Sequence, residues 1–258
     1  MARGGFVSAR FALACGFLAA ISYGSFGQMV SIPSGSKGPQ AKTRQELDLF
    51  GAIYEAKNAQ SGIAAADAFL HAYPQSEFVE YACMAAMRSH DELGNWDGAQ
   101  QMAKMTLRSN PENVDALLTM SRLLIDPGHE SAQTLTQAKT FAELAMVRLN
   151  SMSIPASANS KQWLQTKKAF LARGTFALGW AAFREGDNAE AIRKLQAAIK
   201  FDPKGEYYYR LAVVTAATGN LEGAMKLAVK ALGIGPASVS DLAKLEIKAL
   251  ERQSHSKP

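Results

Sequence analysis

The sequence predicts an all-α fold made of repeated helix pairs, and two observations lead to this prediction. Alanine and leucine are the commonest residues, while β-branched residues are sparse and alternating apolar and polar runs are absent, which favours helix over strand. The stretch FALGWAAFREGDNAEAIRKLQAAIKFDP, residues 176–203, reads as two helical segments around a Gly-Asp-Asn turn, closed by a proline. A unit of this kind recurs along the chain, so a repeat fold is expected.

Residues 1–27 have the pattern of a signal peptide. Arg3 and Arg10 precede an uncharged apolar run that starts at Phe11, and small residues follow at Ser25 and Gly27. These two small residues stand where signal peptidase reads the chain for cleavage after Gly27. The pattern therefore predicts a periplasmic or secreted protein.

Two alternatives stay open for this N-terminal segment. No charged residue lies between Arg10 and Lys37, so an uncleaved segment is long enough to anchor the chain in a membrane. The other alternative makes Cys15 a lipidated cysteine. In either case residues 28–42, which are rich in proline, glycine and serine, are expected to form a flexible linker.

The charge balance argues against a nucleic-acid partner. Without the signal peptide, 26 basic residues face 23 acidic ones, a net charge of +3 in place of +5. These basic residues are interleaved with acids, whereas a nucleic-acid surface needs them clustered. The exported part has a single cysteine, Cys83, so no internal disulfide is expected, and Cys83 is expected to be a small buried apolar residue.

Three helix pairs share one order of turn and small residues. The copy after residue 203 is YRLAVVTAATGNLEGAMKLAVKALGIGP, and its closing Pro236 lies 33 residues after Pro203, while an earlier copy closes at Pro111. In each copy an alanine follows the turn glycine after five residues: Gly94 and Ala99, Gly186 and Ala191, Gly219 and Ala224. This pattern resembles the tetratricopeptide repeat, a helix-turn-helix of about 34 residues. Further matches are Leu178-Gly179 and Ala198 in the fourth repeat and Tyr208, Leu211-Ala212 and Ala231 in the fifth.

The three earlier repeats match less completely. The first keeps its helix pattern at Leu47, Phe50-Gly51 and Tyr54 and closes at Pro74; the second has Cys83, Ala86 and Met87 at packing positions. The third begins at 114–118, has an expanded turn at 125–135, continues with Ala138 and Ala145, and has Asn150 in place of the proline.

The resemblance implies a right-handed superhelical solenoid of about five helix pairs and a C-terminal capping helix, over residues 43–252. Its small residues would allow close approach of neighbouring helices. We expect a linker at 151–159, a long helix capped at Ser160, and a disordered tail at 253–258. The capping helix follows Pro236 and is expected to place four apolar residues on one side: Val239, Leu242, Leu245 and Leu250.

No catalytic or metal-binding motif is present in the sequence. A glycine-rich phosphate loop, a His-Glu-x-x-His helix, a Gly-x-Ser-x-Gly elbow and paired metal-binding cysteines are all absent, and the four histidines are scattered. We therefore predict a protein that is not an enzyme and has no cofactor and no metal.

The resemblance also indicates a binding surface, because partners of this family usually lie on the concave face lined by the first helix of each repeat. Those positions carry arginines and aromatic residues, which are enriched in recognition surfaces. They are Arg173, Phe176, Trp180, Phe183 and Arg184 in the fourth repeat and Tyr209 in the fifth. The alternative is that the three aromatic residues of the fourth repeat pack against the insert and the long helix before them.

Two functions follow from these features. The favoured one is an exported scaffold or adaptor that binds a protein or peptide partner in the cell envelope, with no nucleic acid and with membrane contact only through an uncleaved N-terminal segment. The alternative is an envelope enzyme, or an accessory subunit of one, that acts on a peptide or glycan polymer.

Overall fold

The computed structural model describes residues 39–125, 131–154 and 159–255, and this part of the chain forms eleven helices and no strand. The all-α helical-repeat prediction is therefore confirmed. The helices are α1 Arg44–Glu55, α2 Ala59–Ala72, α3 Val79–Glu92, α4 Trp96–Ser109, α5 Val114–Ile125, α6 Ala132–Ser151, α7 Ser160–Arg184, α8 Asn188–Phe201, α9 Gly205–Ala217, α10 Leu221–Ile234 and α11 Ala237–His255.

The described residues divide into two compact units, with the division between Thr119 and Met120. In the first unit, α2 packs on α1 and α3, and α3 packs on α4. In the second unit each helix from α6 to α11 packs on the next in chain order, and α9 also contacts α11. Each unit is thus a stack of sequential helix pairs, as helical repeats are.

The turns of three repeats have the same backbone conformation. Gly94, Gly186 and Gly219 have φ angles of 67°, 87° and 86°, a left-handed region that glycine enters without steric cost. Just after each of these turns a side chain caps the next helix: Asn95, Asp187 and Asn220 accept a hydrogen bond from the backbone N–H three residues on, at 3.0, 3.0 and 2.9 Å. These caps begin α4, α8 and α10, which are each 14 residues long.

The small residues of the repeat lie where helices approach closely. Ala99, Ala191 and Ala224 are fully buried. A Cβ atom built on Gly179 of α7 would lie 3.0 Å from the Cβ of Lys194 and 3.2 Å from the Cγ of Leu195, both on α8. A larger side chain would force α7 and α8 apart, so the packing role predicted for Gly179 agrees with the structure.

Two local predictions differ from the structure. The long helix α7 begins at Ser160, but its cap is Asn159, whose side chain accepts from the backbone N–H of Gln162 at 3.1 Å. At the other end of the chain α11 continues to His255, so residues 253–255 of the predicted disordered tail are helical. Both differences concern helix ends, which the sequence locates least well.

The buried side of the capping helix α11 differs from the side predicted from the sequence. Val239, Ala243 and Leu250 are buried, whereas Leu242 and Leu245 are 43% and 63% exposed. Residues 239, 243 and 250 follow the helical period more closely than the predicted set, because each full turn takes about 3.6 residues.

The end of the predicted linker is held against the first unit. The backbone N–H of Gln40 donates to the Glu77 carboxylate at 3.0 Å, and that of Lys42 donates to Glu46 at 2.6 Å. Residues 1–38, and with them the signal peptide and most of the linker, lie outside the described residues. None of the described helices is long and apolar enough to cross a bilayer.

Candidate partner-binding site

All six residues predicted to bind a partner lie in the second unit. Five are on α7, at the i, i+3 and i+4 spacings that place side chains on one helix face, and Tyr209 is on α9. Phe176 and Trp180 are buried, with 6% and 5% of their surface exposed. Arg173, Phe183, Arg184 and Tyr209 are half-buried. The structure therefore separates the predicted set into a buried pair and four residues that reach solvent.

Phe176 packs on the first helix of the next repeat. Its ring stacks on Tyr207 of α9, with the centroids 4.6 Å apart and the ring planes 28° apart. Tyr207 is 2% exposed, and this burial raises the pKa of its phenol well above the usual range, although the charge of Arg173 opposes the shift. The Phe176 ring thus connects α7 to α9.

Trp180 lies beneath an arginine that sequence reasoning missed. The guanidinium carbon of Arg210 is 4.2 Å from the Trp180 ring centroid, a distance typical of a cation–π contact. The Phe183 ring lies 4.9 Å from the same ring. Arg210 directly follows Tyr209 in the sequence, but it is outside the positions at which the family binds partners, so the repeat pattern did not select it.

The indole nitrogen of Trp180 is buried and has no hydrogen-bond partner in the part of the chain that the structure describes. A buried donor left without a partner costs about 1–3 kcal/mol. The ring is therefore held by its apolar faces and by Arg210 and not by a hydrogen bond.

Tyr209 and the two remaining arginines belong to the same two helices, α9 and α7, and are half-buried. Tyr209 lies 5.7 Å from the Arg210 guanidinium. Burial raises the pKa of the Tyr209 phenol, with the charge of Arg210 opposing the shift and that of Glu246 adding to it. Arg173 lies 5.5 Å from the Phe170 ring. Arg184, in the last turn of α7, makes no ion pair with any described residue.

These contacts answer the question of where the aromatic residues pack. Phe176 and Trp180 are core residues, and they pack against α9 of the following repeat. Phe183 is in contact with Trp180 and still half-exposed. The accessible surface is therefore a rim of Arg173, Phe183, Arg184, Tyr209 and Arg210 around a buried aromatic floor, and we call it the arginine–aromatic rim.

In the described part of the chain, no three histidine, cysteine, aspartate or glutamate side chains are grouped so that they could hold a metal ion. The thiol of Cys83 is buried, and burial raises its pKa to about 11. The thiol is thus protonated at neutral pH, as expected of a buried apolar cysteine.

Comparison with known proteins places these repeats in a family. Residues 176–239 match the family model of the tetratricopeptide repeat. A thermophilic tetratricopeptide repeat protein of Thermus thermophilus is similar in structure, with 18% identity and a TM-score of 0.52, over 80% of this chain and 98% of that one. MamA of Desulfovibrio magneticus RS-1, from residue 41 to its end, has 12% identity and a TM-score of 0.50, over 74% of this chain and 93% of that one. A search of curated proteins finds no match.

At these identities the solved structures show a shared fold and nothing finer. The family model covers the fourth and fifth repeats, which are the repeats that carry the arginine–aromatic rim. Residues 176–239 are thus tetratricopeptide repeats, and the described part of the chain shares the helical-repeat fold of these solved structures.

Proposed function

We propose that this chain is a binding scaffold that holds a protein or peptide partner at the arginine–aromatic rim. The observation that carries the proposal is the position of Arg210, which covers Trp180 at 4.2 Å and lies beside Tyr209. Arginine and aromatic side chains grouped around a well-packed centre are typical of residues that dominate binding energy at interfaces.

The division into floor and rim gives each residue a role. Phe176 and Trp180 hold α7 and α9 together, so the rim is preorganised and loses little freedom on binding. Phe183 and Tyr209 offer apolar area with a small cost in side-chain entropy. Arg173 and Arg184 offer directed donors for carboxylates or backbone carbonyls.

The chemistry of the rim favours a partner segment with apolar and acidic side chains. Three arginines lie around the aromatic floor, and the half-buried Glu246 is the acid whose charge acts on Tyr209. An acidic residue of the partner could pair with an arginine of the rim, while its apolar neighbour would contact Phe183.

The N-terminal sequence supports a location in the cell envelope. The signal-peptide pattern of residues 1–27 predicts export, and the partner would then be an envelope protein. Intact-mass measurement of the protein recovered from the envelope tests this part, because a chain that begins at Gln28 would have lost 27 residues. A chain that retains residues 1–27 would contradict cleavage.

Site-specific photo-crosslinking tests the binding proposal. A benzophenone side chain at position 183 replaces a half-exposed ring of the rim, and the same group at position 229 of α10 replaces an exposed valine on another surface. We expect a defined adduct with one protein from position 183 and none from position 229. Arg184→Ala in the same chain should reduce the adduct, since it removes a rim charge without touching the buried floor.

Equal adducts at both positions, or adducts that Arg184→Ala leaves unchanged, would contradict the proposal. The polymer-acting enzyme is the alternative function that the sequence left open. The sequence has no catalytic motif that favours it, so only the scaffold is proposed.

A further inference from the structure

The capping helix α11 occupies the place of the first helix of a further repeat. Pro236 precedes α11 as Pro203 precedes α9, 33 residues earlier. Gly179 of α7, Ala212 of α9 and Leu245 of α11 are likewise 33 residues apart in succession. Gly179, Ala212 and Leu245 therefore occupy the same position in three successive repeats.

In α7 and α9 this position faces the second helix of the same repeat. Gly179 is buried against α8, and Ala212 is fully buried in a cluster with Ala224 and Ala228 of α10. The equivalent Leu245 is 63% exposed, because the described contacts of α11 are with α9 and α10 on its other side. The face that takes a second helix in the earlier repeats is thus open in α11.

The open face has an apolar centre and charged edges. Leu245 lies one turn after Leu242, which is 43% exposed. Asp241, Lys244 and Lys248 are exposed around these two leucines. A helix that only caps the end of a repeat stack has a polar outer face. In α11, by contrast, two leucine side chains are exposed to water on that face.

The charges are complementary to the same face of a second copy in antiparallel orientation. When two α11 helices cross antiparallel at Leu245, residues at similar distances before and after Leu245 lie opposite each other. Asp241 then faces Lys248 of the copy, and this pair occurs twice by symmetry. In parallel orientation each of these residues would face its own equivalent, a like charge. The charge pattern therefore selects the antiparallel pair.

We propose that two copies of this chain associate through α11, each helix lying antiparallel on the open face of the other. The second copy takes the place that α8 and α10 take in the earlier repeats. This association goes beyond partner binding at the arginine–aromatic rim and does not depend on it. A single helix pair buries less area than a standard interface, so we expect dissociation in the micromolar range, on the order of 1–100 μM.

One contact within α11 competes with the proposed pairing. Lys244 lies 2.9 Å from Asp241 of its own helix, and both side chains are more than half exposed. An exposed pair of this kind contributes little to stability. It can be exchanged for contacts with the copy when Leu245 and Leu242 are buried.

Sedimentation equilibrium of the full chain over a concentration series tests the association. We expect a monomer–dimer equilibrium, and Leu245→Lys should weaken it by about tenfold or more, because it places a charge at the centre of the pair. Val229→Lys is the matched control, since Val229 is a 54% exposed residue that belongs to α10 and not to α11. It should leave the dissociation constant unchanged.

Charge reversal separates specific pairing from general adhesion. Asp241→Lys and Lys248→Asp should each weaken the dimer by about tenfold, since each creates two like-charge pairs. The double variant restores both pairs and should return the dissociation constant to within about threefold of the original. A chain that is monomeric throughout, a dimer that Leu245→Lys leaves intact, or a double variant without recovery would overturn the proposal.

Discussion

The second and fourth repeats have the same turn conformation and a second helix of the same length. They differ in the side-chain contact that connects their first helix to the next repeat. Arg88 and Trp180 both lie six residues before the turn glycine of their repeat. The Nε of Arg88 donates to the Asp115 carboxylate of α5 at 2.7 Å, and the Asp115 side chain is 7% exposed. Trp180 instead lies under the guanidinium of Arg210 from α9. An ion pair and a cation–π contact thus connect equivalent positions.

This difference shows which positions of a repeat determine its backbone. Both repeats have a turn glycine at positive φ, an asparagine or aspartate cap and a buried alanine, and α4 and α8 have the same length. The large side chains on the first helix differ without changing the turn or the length of the second helix. The chemistry of the first helix is therefore free to vary beside a fixed turn, and in the fourth repeat it takes the arginine–aromatic form.

The largest expected effect is that of removing the Trp180 ring. Trp180→Ala should lower the free energy of unfolding by about 3–5 kcal/mol, because a large buried ring leaves a cavity and Arg210 loses its contact. Urea denaturation measures this change. Phe183→Ala is the control, since Phe183 is half-exposed and its loss should cost clearly less. An unchanged urea midpoint for Trp180→Ala would show that Trp180 faces solvent as part of the binding surface.

The ion pair of the second repeat should give a smaller effect. Arg88→Met should cost about 1.5–3 kcal/mol, since it leaves the mostly buried Asp115 carboxylate without its charged donor. Asp115→Asn added to this variant should recover part of the loss, because a neutral amide is less costly to bury than a carboxylate. Equilibrium unfolding of the two single variants and the double variant gives the coupling energy. Strictly additive losses would mean that the two side chains do not stabilise each other.

The smallest effect is expected at an ion pair that only the fourth repeat has. Glu190 of α8 accepts from Arg193 at 2.6 and 2.7 Å, whereas the equivalent position in the second repeat is Gly98. The hydrogen bond from Arg193, assisted by Lys194, lowers the pKa of Glu190 from 4.5 to about 2. A lowered folded-state pKa adds stability above the unfolded value, and this contribution is lost as the pH falls from 4.5 towards 2.

Glu190→Gln should therefore lower the melting temperature slightly at pH 7. It should not lower the melting temperature near pH 2, where the carboxyl group becomes protonated in the folded protein too. The pair is exposed, so the effect at pH 7 should also decrease with added salt. Thermal unfolding at both pH values and at two ionic strengths measures it. The same melting-temperature difference at both pH values would contradict the role of the charge.

The sequence by itself determined the repeat plan of this protein. Gly186 and Gly219 mark turns that need a positive φ, and Asp187 and Asn220 cap the next helices. Ala191 and Ala224 are buried where neighbouring helices approach closely. All of these act within a few residues of their own position, through backbone conformation, a local hydrogen bond or side-chain size. Such short-range effects can be recognised from residue type and spacing.

Only the tertiary structure decided which large side chains are buried and by what. Trp180 is buried because Arg210 of the next repeat covers it, and Leu245 is exposed because no described helix takes the place that α8 and α10 take in earlier repeats. The spacing along α7 placed Trp180 and Phe183 on one helix face, but it did not show which of the two side chains is buried. Their separation into floor and rim depends on side chains of another helix, and a contact across helices is set by packing in three dimensions and not by local spacing.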